Sequence, residues 1–300
     1  MIMLFTLLLT SAALIYLGLL LTDWIMARRA WQNADRYRLD FEPTGSDRLL
    51  IAHASGGSAL GSYPNARQCL DQWYERGIRH FEVDLQPTPD GEWIALHDWG
   101  PTLRRWFDLR ALPTRRKLLR ALRPGSALPS AEVRALPMRG NLEVLDPPRL
   151  SDWLAAHPDA WLVTDIKAGN PEGLKMLANH LGRNVSRVIA QVFTVEEIEL
   201  AHRLGYGRVA WANYVPKWPL DTLADRLARL RLDLIVLDQR KLNSSKDHVH
   251  LEELRAQGRE IWVFTVNDTQ RLAELPAAIG GVITDRLVPA GTGVNHRHPC

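Results

Sequence analysis

From residue 48 onward, short β-branched and apolar runs alternate with stretches whose apolar residues recur every three or four positions. That alternation predicts repeated strand and helix units around a parallel sheet. Nine strands are expected, near Leu49 to His53, His80 to Leu85, Glu92 to His97, Trp161 to Ile166, Arg187 to Val192, Arg208 to Ala212, Leu234 to Leu237, Ile261 to Val266 and Gly281 to Thr284. Helical spacing lies between them, as in Ala66, Leu70, Trp73, Tyr74 and Ile78, or Leu223, Leu227 and Leu230. Only Gln86-Pro87-Thr88-Pro89-Asp90-Gly91 joins the second and third strands, too short for a parallel crossover, so that pair is expected to be a hairpin. Eight parallel strands and one hairpin strand predict an irregular TIM-type (β/α)8 barrel over residues 48–290.

Upstream the pattern changes. Met1 to Thr22 carries no charged side chain, and at about 1.5 Å per residue it is long enough as a helix to cross a bilayer core of roughly 30 Å. No Lys or Arg precedes this run and no clear small-x-small site follows it, which favours a single transmembrane anchor over a cleaved signal peptide. Residues 23–47 then read as a linker. Its Arg28, Arg29, Arg36 and Arg38 place the barrel on the cytoplasmic side of a bacterial inner membrane by the positive-inside rule. Residues 291–300, with His296 and His298, read as a tail.

The 300 residues carry 37 Lys and Arg against 34 Asp and Glu, a net charge of +3 that excludes a generally basic nucleic-acid binder. Cys69 and Cys300 are too few for a disulfide framework or a zinc finger. Charge is instead local. Arg104, Arg105, Arg110, Arg115, Arg116, Lys117, Arg120 and Arg123 face only Asp108, with Leu118, Leu119 and Leu122 on one helical stripe and Trp99, Trp106 and Phe107 just upstream. Residues 99–147 are therefore expected to form a basic lid whose Arg115, Arg116 and Lys117 touch a lipid or an anionic bilayer. The stretch has no motif that would fit a nucleic-acid groove, and no protein partner is inferable.

Chemistry in such a barrel gathers where strands end. The first strand ends in His53, the second carries Glu82 and Asp84, the third ends in His97-Asp98, and the fourth carries Asp165 and Lys167. Strand alternation puts Glu82 and Asp84 on one face, and likewise Asp165 and Lys167. Converging carboxylates repel unless a cation neutralises them, and oxygen ligands favour a hard ion, Mg²⁺ or Ca²⁺. Two histidines beside it would serve as proton acceptor and donor, and Lys167 would attract an anion, a set that suits phosphodiester cleavage.

The stretch IAHASGG, then YPNA, then FEVDLQPTPDGEWIALHDW, within Ile51 to Trp99, resembles the glycerophosphodiester phosphodiesterase family. The likeness continues through LVTDIK at Leu162 to Lys167, WVFTVND at Trp262 to Asp268 and GVITDR at Gly281 to Arg286. The resemblance implies metal-dependent hydrolysis of glycerophosphodiesters in an irregular TIM-type barrel, with His53 and His97 as acid and base. It implies Glu82 and Asp84 as metal ligands, with Asp165 at the position of the family's third carboxylate. Lys167 matches the family lysine, and Trp262 an aromatic of the substrate pocket. It also implies a route in which the glycerol hydroxyl attacks the phosphate and water opens the resulting cyclic phosphate.

Three positions depart from the family pattern. Ala54 stands where the family has an arginine after the first histidine, so its phosphate clamp must be replaced by Lys167, the metal or backbone donors of Gly56-Gly57. Asp165 is one methylene shorter than the family's glutamate, and Tyr63-Pro64-Asn65-Ala66 keeps only the asparagine of the family's P-E-N-T element. These features look like a divergent branch carrying HAxGG. Two other readings stay open, a lysophospholipase D acting on lysophospholipids and a non-catalytic phosphate- or lipid-binding homologue. Asp98 is expected to orient His97 or close a turn, and Asp285 to cap a helix or a turn.

Overall fold

The computed structural model describes residues 40–114, 117–118, 121, 123, 125–242 and 245–291. The expected anchor at 1–22, Arg115, Arg116 and the tail beyond 291 lie outside them. Among the described residues no helix is long and apolar enough to cross a membrane.

All nine expected strands form. In chain order they are β2 (Leu49–Ala52), β3 (His80–Pro87), β4 (Trp93–Ala95), β5 (Trp161–Ile166), β6 (Val188–Val192), β7 (Arg208–Ala212), β8 (Leu234–Asp238), β9 (Glu260–Phe264) and β10 (Gly281–Thr284). Eight of them run parallel in the order β2, β10, β9, β8, β7, β6, β5, β3, and β2 pairs with β3 to close the barrel. The remaining strand, β4, lies antiparallel on β3, with Leu85 opposite Ala95 and Pro87 opposite Trp93, as the short Pro-Gly connection requires. Two strands were not expected: β1 (Glu42–Thr44) and β11 (Leu287–Pro289) pair in parallel outside the barrel. The residues assigned to a linker up to 47 therefore include ordered structure.

Helices α1 (Arg67–Glu75), α4 (Pro147–Ala156), α5 (Asn170–Leu181), α6 (Val195–Arg203), α7 (Leu220–Leu227), α8 (Ser245–Ala256) and α9 (Thr269–Glu274) fall between the strands, while α2 (Pro101–Trp106) and α3 (Ser130–Ala135) belong to the 99–147 insertion. Three of them, α4, α6 and α9, begin with a side-chain cap. Asp146 accepts from the Arg149 amide with prolines at the start of α4, and Thr194 accepts from the Glu197 amide.

Alternation along each strand separates two cores. Phe81, Val83 and Leu85 of β3 face outward and pack with Leu70, Trp73 and Trp153 of the helices, whereas Ile51, Val163, Ile189, Leu234, Val236, Trp262 and Ile283 fill the barrel interior. Glu82 and Asp84, on the inner face of β3, thus stand above an apolar plug.

The insertion has a third core of its own. Trp99, Leu103, Trp106, Phe107, Val133, Leu136 and Met138 bury one another with Ile94 and Leu96. The aromatics upstream of the basic run are thus spent on this core, where burying about 150–250 Å² of each large ring stabilises the insertion. Lys117 does not reach outward alone either, since its Nζ lies 2.6 Å from Glu132 Oε1.

Candidate active site

Strand register explains why the acidic residues converge. Asp84 and Asp165 are direct neighbours on β3 and β5, and β2 lies on the other side of β3, with Ala52 opposite Phe81. Glu82, Asp84 and Asp165 consequently bring one carboxylate oxygen each within 4.8 Å of one another. Lys167 follows two residues after Asp165, and its Nζ sits 2.6 Å from both Asp84 Oδ1 and Asp165 Oδ2.

Burial pushes the Glu82 carboxyl well above its ordinary pKa, and the charge of Asp84 adds to the rise. Burial would do the same to Asp84, but Lys167, His97 and His53 outweigh it and hold Asp84 below the usual range. The same carboxylates raise Lys167 against the effect of its burial. Glu82 Oε2 accepts the Ala54 amide at 2.6 Å, while its buried Oε1 has no hydrogen-bond partner among the described residues. A buried carboxylate oxygen left open beside two more carboxylates fits a hard divalent cation. Asp165 is more committed: Oδ1 accepts from Tyr214 at 2.7 Å and Oδ2 from Lys167.

Asn65 fixes Asp84, donating from Nδ2 to Oδ2 at 2.8 Å and accepting the Asp84 amide at 3.1 Å. It does so from the β2–α1 loop, where Ala54, Ser55, Tyr63 and Asn65 all take positive φ between 47° and 67°. Four non-glycine residues in that region mark a loop held in place against local preference. Gly56 belongs to the same loop, at φ 101° and with space for a Cβ occupied by the Trp73 ring 2.4 Å away.

Both histidines are oriented by carboxylates through Nδ1, so Nε2 is the ring nitrogen left without a carboxylate partner. His53 Nδ1 lies 3.0 Å from Asp285 Oδ1, and Asp285 is itself held by the Asn267 side chain at 2.9 Å. Burial works to lower the His53 pKa, but Asp285 foremost, then Glu82 and Asp84, raise it to about 9. His97 Nδ1 lies 3.1 Å from Asp98 Oδ2; Asp98 also accepts from the Gly100 and Thr102 amides, so it both orients the ring and closes the turn. Asp285, expected only as a cap, is the partner of His53. Its place just past the end of β10 was the available signal.

A pocket of about 180 Å³ opens at this face, lined by His53, Tyr63, Glu82, His97, Asp165, Lys167, Gln191, Tyr214, Val236, Phe264 and Ile283. The structure thus brings together six of the expected residues, His53, His97, Glu82, Asp165 and Lys167 on its wall and Asp84 beside them. It does not bring Trp262. That indole is fully buried at the level of Gly281, with Nε1 donating to Glu260 Oε2 at 3.1 Å and its ring 6.1 Å from that of His80. Two residues further along the same face, Phe264 is the aromatic that reaches the pocket. Tyr63, Gln191 and Tyr214 were not anticipated.

No family model matches the chain, and no curated protein matches it. Solved structures do. A glycerophosphodiester phosphodiesterase from Thermotoga maritima superposes with a TM-score of 0.61 at 17% identity, covering 81% of this chain and 96% of that one. One from Parabacteroides distasonis gives 0.59 at 18%, covering 81% and 94%. An Oleispira antarctica phosphodiesterase, solved with the product sn-glycerol-3-phosphate, gives 0.59 at 17%, covering 79% and 92%. The chain has the fold of the glycerophosphodiester phosphodiesterases, over nearly the whole length of those structures.

Proposed function

We propose that the protein hydrolyses glycerophosphodiesters to glycerol phosphate and an alcohol. The observation that carries this is the pair of histidines, each anchored through Nδ1 by its own carboxylate, on the wall of a pocket that also holds three carboxylates and a lysine. The Oleispira phosphodiesterase, of like fold, binds the corresponding product.

Glu82, Asp84 and Asp165 would hold one divalent cation, Mg²⁺ or Ca²⁺, which when bound offsets charge on the phosphate. His97 Nε2 takes the proton of the glycerol hydroxyl next to the phosphate, and that oxygen forms a bond to phosphorus. The bond from phosphorus to the alcohol oxygen breaks, and His53, which Asp285 keeps protonated, gives that oxygen its proton from Nε2. Water then opens the cyclic phosphate: His53 takes a water proton, and His97 returns its proton to the ring oxygen released. Tyr214 and Lys167 keep the Asp165 carboxylate in place throughout. The charge-free run at 1–22 supports placing this chemistry at a membrane.

Hydrolysis of glycerophosphocholine, glycerophosphoethanolamine and lysophosphatidylcholine, with Mg²⁺, Ca²⁺ or EDTA, tests the proposal. Metal-dependent release of alcohol from the first two, abolished in His53→Ala and in Glu82→Ala, is expected. Turnover of none of them by folded protein would refute it.

A further inference from the structure

The pocket lacks the arginine that the family places after its first histidine, and several of the donors around it already serve protein acceptors. The Ala54 amide is given to Glu82 at 2.6 Å, and the Gly56 amide to the His53 carbonyl at 2.8 Å. Lys167 lies 2.6 Å from each of two carboxylates, and the Tyr214 hydroxyl is donated to Asp165 at 2.7 Å.

Tyr63 is a side-chain donor on the pocket wall without such a partner. Its ring meets His53 edge-on at 4.5 Å between centroids and His97 at 4.6 Å, so it stands between the two imidazoles on the pocket wall. Its hydroxyl has no hydrogen-bond partner among the described residues. The residue is held there at φ 62°, with the neighbouring Asn65 tied to the Ala54 carbonyl at 3.0 Å and to Asp84. A non-glycine residue in this conformation is held against its own backbone preference, which the surrounding loop must offset.

We propose that Tyr63 is the phosphate-binding residue that takes over from the missing arginine, its phenol donating one hydrogen bond to a non-bridging phosphoryl oxygen held between His53 and His97. The inference rests on the phosphodiesterase reading. Burial, and then the charges of Asp285, Asp84 and Glu82, push the phenol up to about 12, so it keeps its proton and remains a donor across the working range. A single neutral donor grips a phosphate less firmly than a bidentate guanidinium, so a dianionic product would leave this site more readily.

Calorimetric titration with sn-glycerol-3-phosphate and steady-state hydrolysis of glycerophosphocholine, on the full chain and on Tyr63→Phe, test this. The variant keeps the ring between the histidines and removes only the hydroxyl. Expected are an unchanged thermal midpoint, a product affinity lower by about tenfold, a KM higher by a similar factor and a kcat within about threefold, the pattern of lost binding rather than lost chemistry. Equal affinity and KM in the variant would overturn the proposal, as would a wild-type protein that binds no glycerol phosphate. If the wild type turns over no diester yet its product binding falls tenfold in Tyr63→Phe, the hydrolase reading fails while the phosphate donor stands.

Discussion

Replacing Asp285 with Asn tests how His53 is charged. The substitution keeps the shape beside Nδ1 and removes the carboxylate that does most to raise the imidazole. From 6.5 in an unfolded chain to about 9 in the folded one, at roughly 1.4 kcal/mol per pH unit, the protonated ring contributes about 3 kcal/mol to stability. The sign follows from which state binds the proton more tightly. Here it is the native state, so the contribution is complete below pH 6.5 and is lost as pH rises through 9. Asp285 is the largest of the groups that raise the ring, so most of that contribution depends on it. Urea denaturation of EDTA-treated wild type and Asp285→Asn at pH 6 and pH 9.5 gives the comparison. The variant is expected to be less stable at pH 6 by most of that roughly 3 kcal/mol and to close most of the gap by pH 9.5. Parallel stability curves across the interval would refute the assignment of charge to His53.

Three further outcomes follow from the same geometry. Glu82→Gln removes a buried charge that burial and Asp84 both oppose, so the metal-free variant should melt several degrees above the metal-free wild type, and Mg²⁺ or Ca²⁺ should no longer raise its midpoint in a thermal scan. Burial first, then the charge of Arg208, lowers His80 to about 4, so below pH 6.5 the unfolded chain takes up a proton that the folded one refuses. Wild type should lose about 3 kcal/mol on this account between pH 6.5 and 4, and His80→Phe, which can keep the stacking on Trp161, should flatten that acid limb in denaturation curves. Phe264→Ala should raise KM for a glycerophosphodiester, whereas Trp262→Phe should lower the melting temperature and leave KM within about twofold.

The barrel was legible because each of its strands is a compact apolar run between polar helices, and the hairpin because its connection is too short for anything else. Strand ends then exposed His53, Glu82, Asp84, His97, Asp165 and Lys167 to the eye. Four features were hidden. Alternation assigns Trp262 to the inner face but not to a height along the barrel axis, so the deep Trp262 and the pocket-lining Phe264 read alike. Tyr63 enters the site through a left-handed backbone turn, a geometry that no periodicity encodes. The aromatic residues of the insertion looked amphipathic because the partners that bury them, such as Val133 and Met138, come some thirty residues later in the chain. The β1–β11 pair is three residues on each side with a proline in both, and so leaves no alternation to see.

That small outer pair settles where the chain enters the barrel. The Arg286 guanidinium, one residue from the partner of His53, donates from Nε to the Asp40 carbonyl at 3.1 Å, and the Thr269 amide reaches Glu42 at 2.9 Å. Residue 40 therefore lies beside the rim of the pocket face, and β1 leads from there down the outside of the barrel to the start of β2. The described chain thus begins on the face that carries the pocket, and the open mouth rather than the closed base is the side to which residue 40 belongs.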